Sequence, residues 1–292
     1  ISYHRPMTEL RTRVVLLGTG TPRTEVGRAG TSTTVVVDGN PYLFDFGPGV
    51  GLRLSEGHEA GTVGLAMSEV TKAFLTHMHS DHTLGLGELM LTPWMFGREE
   101  PLEVYGPRGT SAMTRSVSQA YSLDVAKRSL HEPHTERGHE IIGRDVSPGV
   151  IYTDDRVDVE AYAVQHGDWD PVLHGPFPAM GYRVTTPDRT IIISGDTGPF
   201  AEMVPTYAGC DVLVHEVYST AGLADRPPEW QSYHERSHTS GTHLARVATE
   251  ANPGVLVLAH QLLWHATEDD LIDEVTSAYN DPFVYGRDLT VI

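Results

Sequence analysis

Between Thr76 and His82 the chain places His77, His79, Asp81 and His82, three imidazoles and a carboxylate within six residues, directly after the apolar run Ala73-Phe74-Leu75. Zinc takes imidazole nitrogen and carboxylate oxygen at about 2.0–2.2 Å, so one rigid turn at a strand end can present several ligands at once. His77 and His79 alternate onto one side of an extended backbone, and Asp81 and His82 come off the turn that follows. That spacing divides the ligands between two adjacent metals. A solvated loop accounts for any one of these residues, but not for the whole H-x-H-x-D-H string after an apolar strand.

Four later apolar runs end on the same kinds of residue. Val157 to Val164 leads to His166, and Thr190-Ile191-Ile192-Ile193 leads to Ser194-Gly195-Asp196. Asp211-Val212-Leu213-Val214 leads to His215-Glu216, and Val255-Leu256-Val257-Leu258 to His260. Buried sheets carry functional groups at strand ends, where loops converge on a crevice. From spacing alone His174 rivals His166, His265 rivals His260, and Asp196 could instead cap a turn.

The elements that must position these groups begin early. Arg13 to Leu17 ends at the turn cluster Gly18-Thr19-Gly20-Thr21-Pro22, and Thr33 to Val37 stops at Asp38-Gly39, a favoured hairpin turn before Tyr42 to Phe46. Gly47-Pro48-Gly49 breaks that strand, residues 50–69 read as helix plus loop, a strand over 72–76 delivers the His cluster, and Leu84 to Phe96 reads as a helix packed behind it. The pattern predicts an α/β fold of the αββα kind, with two mixed β-sheets face to face and helices on the outside, as a single domain over residues 1–292.

Composition bounds the function. Lys+Arg 21 against Asp+Glu 39 gives a net charge of −18, and so acidic a surface repels a polyanion, which disfavours a large nucleic-acid partner. No stretch reaches the roughly 18–20 apolar residues of a membrane span. Cys210 is the only cysteine, which excludes an intrachain disulfide and leaves His and Asp to supply any metal site. The chain begins at Ile1, so both a cytoplasmic location and export after removal of a signal peptide stay open, as does a homodimer.

The pattern resembles the metallo-β-lactamase superfamily, and within it the ribonuclease Z-like branch. Beyond the His string, the resemblance rests on Leu16-Leu17-Gly18-Thr19-Gly20, Phe44-Asp45-Phe46-Gly47-Pro48-Gly49, Pro101 to Pro107, Gly181-Tyr182-Arg183-Val184, Gly195-Asp196-Thr197-Gly198-Pro199, His215-Glu216 and Ser237-His238-Thr239-Ser240. It implies a dinuclear zinc site, with manganese or iron as substitutes. His77, His79 and His166 would hold one ion, Asp81, His82 and His260 the other, and Asp196 and a hydroxide would bridge the pair. It also implies that His238 protonates the leaving oxygen with Glu216 behind it, and Asp45 suits a partner that orients a ligating His. The plainer reading of His238 is a cap on the helix Gly241 to Ala251.

Two departures bear on the substrate. The tRNA-processing members carry a long Gly- and Pro-rich arm between the Gly-Tyr-Arg strand and the Gly-Asp-Thr-Gly motif, whereas only Tyr182 to Gly195, fourteen residues, fills that interval here. The basic segment those enzymes use near the first loop is poorly matched by Arg23 to Arg28. Leu91 to Phe96, Gly167 to Pro171 and a lid-like stretch, Tyr218 to Tyr233, bring aromatic residues toward the site and suggest an apolar small-molecule pocket. The reading placed first is therefore a dizinc hydrolase of a small phosphodiester, lactone or other ester. A tRNA 3′-processing endonuclease comes second, and a β-lactamase or a non-catalytic metal-binding scaffold further behind.

Overall fold

A computed structural model describes residues 11–167, 169–170 and 175–292. Two seven-stranded sheets face one another. The first runs, in spatial order, Thr290–Val291, Thr12–Gly18, Ser32–Val37, Asn40–Phe44, Lys72–Phe74, Leu102–Gly106, Ile141–Asp145. The second runs Phe283–Tyr285, Val255–Leu262, Val212–Tyr218, Thr190–Ile193, Met180–Thr185, Asp158–Ala163, Gly149–Thr153. Both are mixed, with antiparallel hairpins on one side and parallel ladders on the other.

The period-two alternation of a strand explains why these runs read as continuously apolar. Val14 and Leu16 point between the sheets, while Val15 and Leu17 point outward against the helices Val50–Glu59 and Leu86–Met95. Ile191, Val212, Val214 and Val257 likewise face the inter-sheet core, and Ile192, Leu213, Leu256 and Leu258 face the helices Gly241–Ala251 and Glu268–Thr276. Each sheet is thus apolar on both faces and must be covered on both, which is the αββα arrangement the sequence predicts.

Three expectations shift in detail. The helix expected over Leu84 to Phe96 is Leu86–Met95, preceded by a separate short turn of helix, Ser80–Thr83, that carries Asp81 and His82. Asp45 stands just past its strand rather than within it, in the left-handed region at φ 58°. The lid-like stretch is largely helical, with Thr220–Ala224 and Pro228–Ser237 following the end of a strand at Tyr218. Among the described residues no helix is long and apolar enough to cross a membrane.

Candidate active site

The strand ends of both sheets deliver their polar groups to one rim. Lys72–Phe74 leads into His77 and His79, and the short helix behind it brings Asp81 and His82 back to the same place. Gly195 sits at φ 60°, and a Cβ there would lie 2.7 Å from the Met180 carbonyl and 3.0 Å from Thr76, so only glycine lets Asp196 turn in under the first sheet. Gly47 answers the same need opposite, since its Cβ would meet the Asp81 carbonyl at 2.2 Å. His260, at the close of its strand, holds φ 44°, a strained geometry for a non-glycine residue.

Three overlapping groups of donors result: His77, His79, His166 with Asp196; Asp81, His82 with His260; and Asp196, His260 with His238. In the first, His79 Nδ1 lies 3.0 Å from His77 Nε2 and 3.1 Å from His166 Nε2. In the second, His260 Nε2 lies 3.1 Å and His82 Nε2 3.6 Å from Asp81 Oδ2. Asp196 touches both of these: Oδ2 is 3.8 Å from His77 Nε2 and 3.5 Å from His260 Nε2, while Oδ1 is 3.5 Å from His82 Nε2. Tetrahedral ligands at about 2.05 Å from a zinc ion stand roughly 3.3 Å apart, so these spacings are of the size such an ion imposes. Asp81 Oδ1, His82 Nε2 and Asp196 Oδ1 are buried with no hydrogen-bond partner among the described residues, a costly state for a protein interior and one that a cation relieves.

Most of the imidazoles are oriented from behind. Thr76 Oγ1 lies 3.0 Å from His77 Nδ1, Asp45 Oδ2 is 2.7 Å from His82 Nδ1, and the Ser237 carbonyl is 2.8 Å from His166 Nδ1. Burial drives His77 well below its ordinary value and takes His79 and His166 to about 4, which keeps their nitrogens unprotonated and free to ligate. Burial opposes charge on His82 as well, but Asp196 and Asp45 outweigh it and hold that ring well above the usual range. For Asp196, burial is outweighed by His260 and His82, which keep the carboxyl ionised.

Beside this centre His238 Nδ1 lies 3.2 Å from Glu216 Oε2 and 4.0 Å from Asp196 Oδ2. Glu216 Oε1 in turn accepts the Thr239 amide at 2.7 Å and the Thr197 amide at 3.4 Å. Burial pushes His238 down to about 4 and, with Asp196 beside it, Glu216 upward. The helix-cap reading of His238 fails: Ser240 caps Gly241–Ala251, accepting the His243 amide.

The rival ligands fall away or fall outside. His265 is solvent-exposed, apart from the cluster that holds His260. His174 and the side chain of Trp169 lie outside the described residues. Trp94 is core, 1% exposed, its Nε1 donating to the Thr135 carbonyl at 3.0 Å, so Leu91 to Phe96 brings no tryptophan to the site. Sequence reasoning missed the Thr76 hydroxyl, the Thr197 amide, the Ser237 carbonyl and Phe177, whose ring stacks on His79 with centroids 5.0 Å apart; the backbone groups among them carry no signal in residue type.

The comparisons with known proteins agree with this geometry. Residues 41–261 match the family model described as Beta-lactamase superfamily domain. The chain is 34% identical over 253 residues to Ribonuclease Z of Mycobacterium sp. (strain KMS), covering 85% of this chain and 84% of that protein. It is 30% identical over 281 residues to Ribonuclease Z of Mycolicibacterium gilvum (strain PYR-GCK), covering 94% of each. Among solved structures, human tRNase Z, short form, superposes with a TM-score of 0.70 at 22% identity over 96% of this chain and 98% of that one. The metallo-beta-lactamase fold protein YhfI from Bacillus subtilis does so at 0.72 and 18% identity, over 96% and 98%. These two likenesses are of fold.

Proposed function

Because the chain belongs to the metallo-β-lactamase superfamily and to its ribonuclease Z-like branch, and is a metal-dependent hydrolase, we propose that it cleaves phosphodiester bonds in RNA, with tRNA 3′-end processing as the leading reading. The observation that carries hydrolysis is Asp196 reaching both donor groups while His238, backed by Glu216, stands at the same rim. Support for RNA comes from the curated relatives, whose name is Ribonuclease Z across 84% and 94% of their lengths. This reverses the order reached from sequence alone, where a small ester came first.

His77, His79 and His166 would hold one cation, Asp81, His82 and His260 the other, with Asp196 shared. The nitrogen and oxygen donors, without thiolate, suit zinc, and manganese or iron less closely. Bound there, such ions supply Lewis acidity toward a phosphoryl oxygen and bring the pKa of water toward neutrality. The chain's own residues do the rest. Glu216, fixed by two backbone amides, holds His238 through Nδ1. His238 Nε2 has no protein partner among the described residues and is the nitrogen that would hand a proton to the leaving oxygen as the P–O bond breaks. A domain spanning residues 1–292 belongs to the same proposal.

A second reading, a small phosphodiester, lactone or other ester as substrate, rests on the net charge of −18 and on one structural feature. Met180–Thr185 and Thr190–Ile193 join through a tight turn in which the Thr186 amide donates to the Arg189 carbonyl at 2.9 Å, so no arm extends there to grip a large RNA. Zinc-loaded protein assayed against pre-tRNA, bis-p-nitrophenyl phosphate, an acyl-homoserine lactone and a β-lactam separates the two. Endonucleolytic cleavage of pre-tRNA is expected. Turnover of one of the small substrates with intact pre-tRNA would put the second reading first.

A further inference from the structure

His79 differs from the other imidazoles of its group. Thr76 holds His77 from behind and the Ser237 carbonyl holds His166, but His79 spends Nδ1 on the ligand cluster, and among the described residues nothing accepts from its Nε2. What it has instead is a ring. Phe177 stacks on His79 with centroids 5.0 Å apart and planes 24° from parallel, within the range of favourable offset stacking. The same phenyl meets His77 edge-on at 6.0 Å and His166 at 6.1 Å. One half-buried side chain therefore lies against all three imidazoles of the donor group, of which His79 is the one that is itself only half-buried.

From this geometry we propose that Phe177 is a positioning residue: its ring takes the place of the missing hydrogen-bond partner, sets the plane of the His79 imidazole, and so tightens one of the two metal sites. The inference rests on the metal-centre reading above. Hydrogen-bonding partners that orient a ligating histidine are typically worth 10–100-fold in metal affinity; an aromatic stack is a weaker contact, worth up to roughly tenfold. Stacking also excludes water from the face of His79, which an aliphatic group of similar size would do without fixing the ring plane.

The experiment counts zinc per chain by elemental mass spectrometry while a competing chelator is titrated into zinc-loaded protein. Phe177→Tyr, which keeps the ring, is expected to follow wild type. Phe177→Ala and Phe177→Leu are expected to release one of two ions at up to roughly tenfold lower chelator. If Phe177→Ala does not fold, Phe177→Leu decides alone, since it keeps apolar volume and removes only the ring. Two ions held as tightly in Phe177→Leu as in wild type overturn the role of Phe177 and leave the metal centre standing. Wild-type protein that retains no zinc overturns both.

Discussion

Asp45 stands 2.7 Å from His82, Oδ2 against Nδ1, although 37 residues separate them and Asp45 must adopt φ 58° to reach. Its two oxygens also take the Thr76 amide at 2.7 Å and the Thr76 hydroxyl at 2.8 Å, so one carboxylate locks the strand that leads into His77 and the ring that follows it. Asp45→Ala is expected to weaken metal binding about 10–100-fold, as loss of such outer partners does, with activity falling in step. Metal titration against a chelator measures it; unchanged affinity would show that His82 is held by other means.

His238 and Glu216 act as a unit, so their loss should not add. His238→Ala is expected to cost about 10²–10⁴ in turnover on a substrate with a poor leaving group, and far less on bis-p-nitrophenyl phosphate, whose leaving p-nitrophenolate hardly needs a proton. Glu216→Gln should give part of the same loss, and the double variant little more than His238→Ala. Equal losses on both substrates would count against proton donation.

The site was more legible than its surroundings. Apolar runs such as Leu256 to Leu258 and Ile191 to Ile193 announce strands because both faces are buried, and His and Asp at their ends stand out against them. The edge strands Ile141–Asp145 and Gly149–Thr153 escaped notice because they are only partly covered and carry Arg, Asp and Gly. The helix Ser122–His131 has no buried residue: Leu123, Ala126 and Leu130 recur at helical spacing, but Leu123 and Leu130 stand exposed, so no core lies behind them. Phe177 could not be found at all: its meaning lies in a ring stacked on a residue 98 positions away, which no spacing encodes. The preference for a small substrate rested partly on Trp94 lying near the ligand turn in sequence, and that ring packs into the core instead.

Asp154 is expected to make stability pH-dependent well away from the metals. It accepts the Tyr42 hydroxyl at 2.6 Å, the Tyr152 hydroxyl at 2.9 Å and the amides of Arg156 and Val157. Burial raises its carboxyl, but those donors outweigh burial and leave it below the ordinary value. A carboxyl depressed in the folded state stabilises fully above its unfolded pKa of about 3.9 and loses that contribution as pH falls through the folded value. Asp154→Asn should therefore lower stability by roughly 1–3 kcal/mol at pH 7, and the gap to wild type should close below about pH 3.9. Denaturant titrations at pH 7 and at descending acid pH check it; a gap that widens in acid would reverse the sign and refute the argument.

Metal removal should be felt in the fold as well as in the chemistry. Asp81 and Asp196 are 3% exposed, each with an oxygen lacking a partner among the described residues, so without cations the interior keeps carboxylates balanced by the raised imidazoles of His82 and His260. A ligand that binds only the folded chain stabilises it by about 2.7 kcal/mol at a hundred times its dissociation constant. Zinc should thus raise the thermal midpoint of chelator-treated protein by several degrees. Asp196→Asn, which removes the shared charge and weakens both groups of donors, should lose most of that rise. The same midpoint shift in wild type and Asp196→Asn would mean that zinc stabilises the chain from somewhere other than this centre.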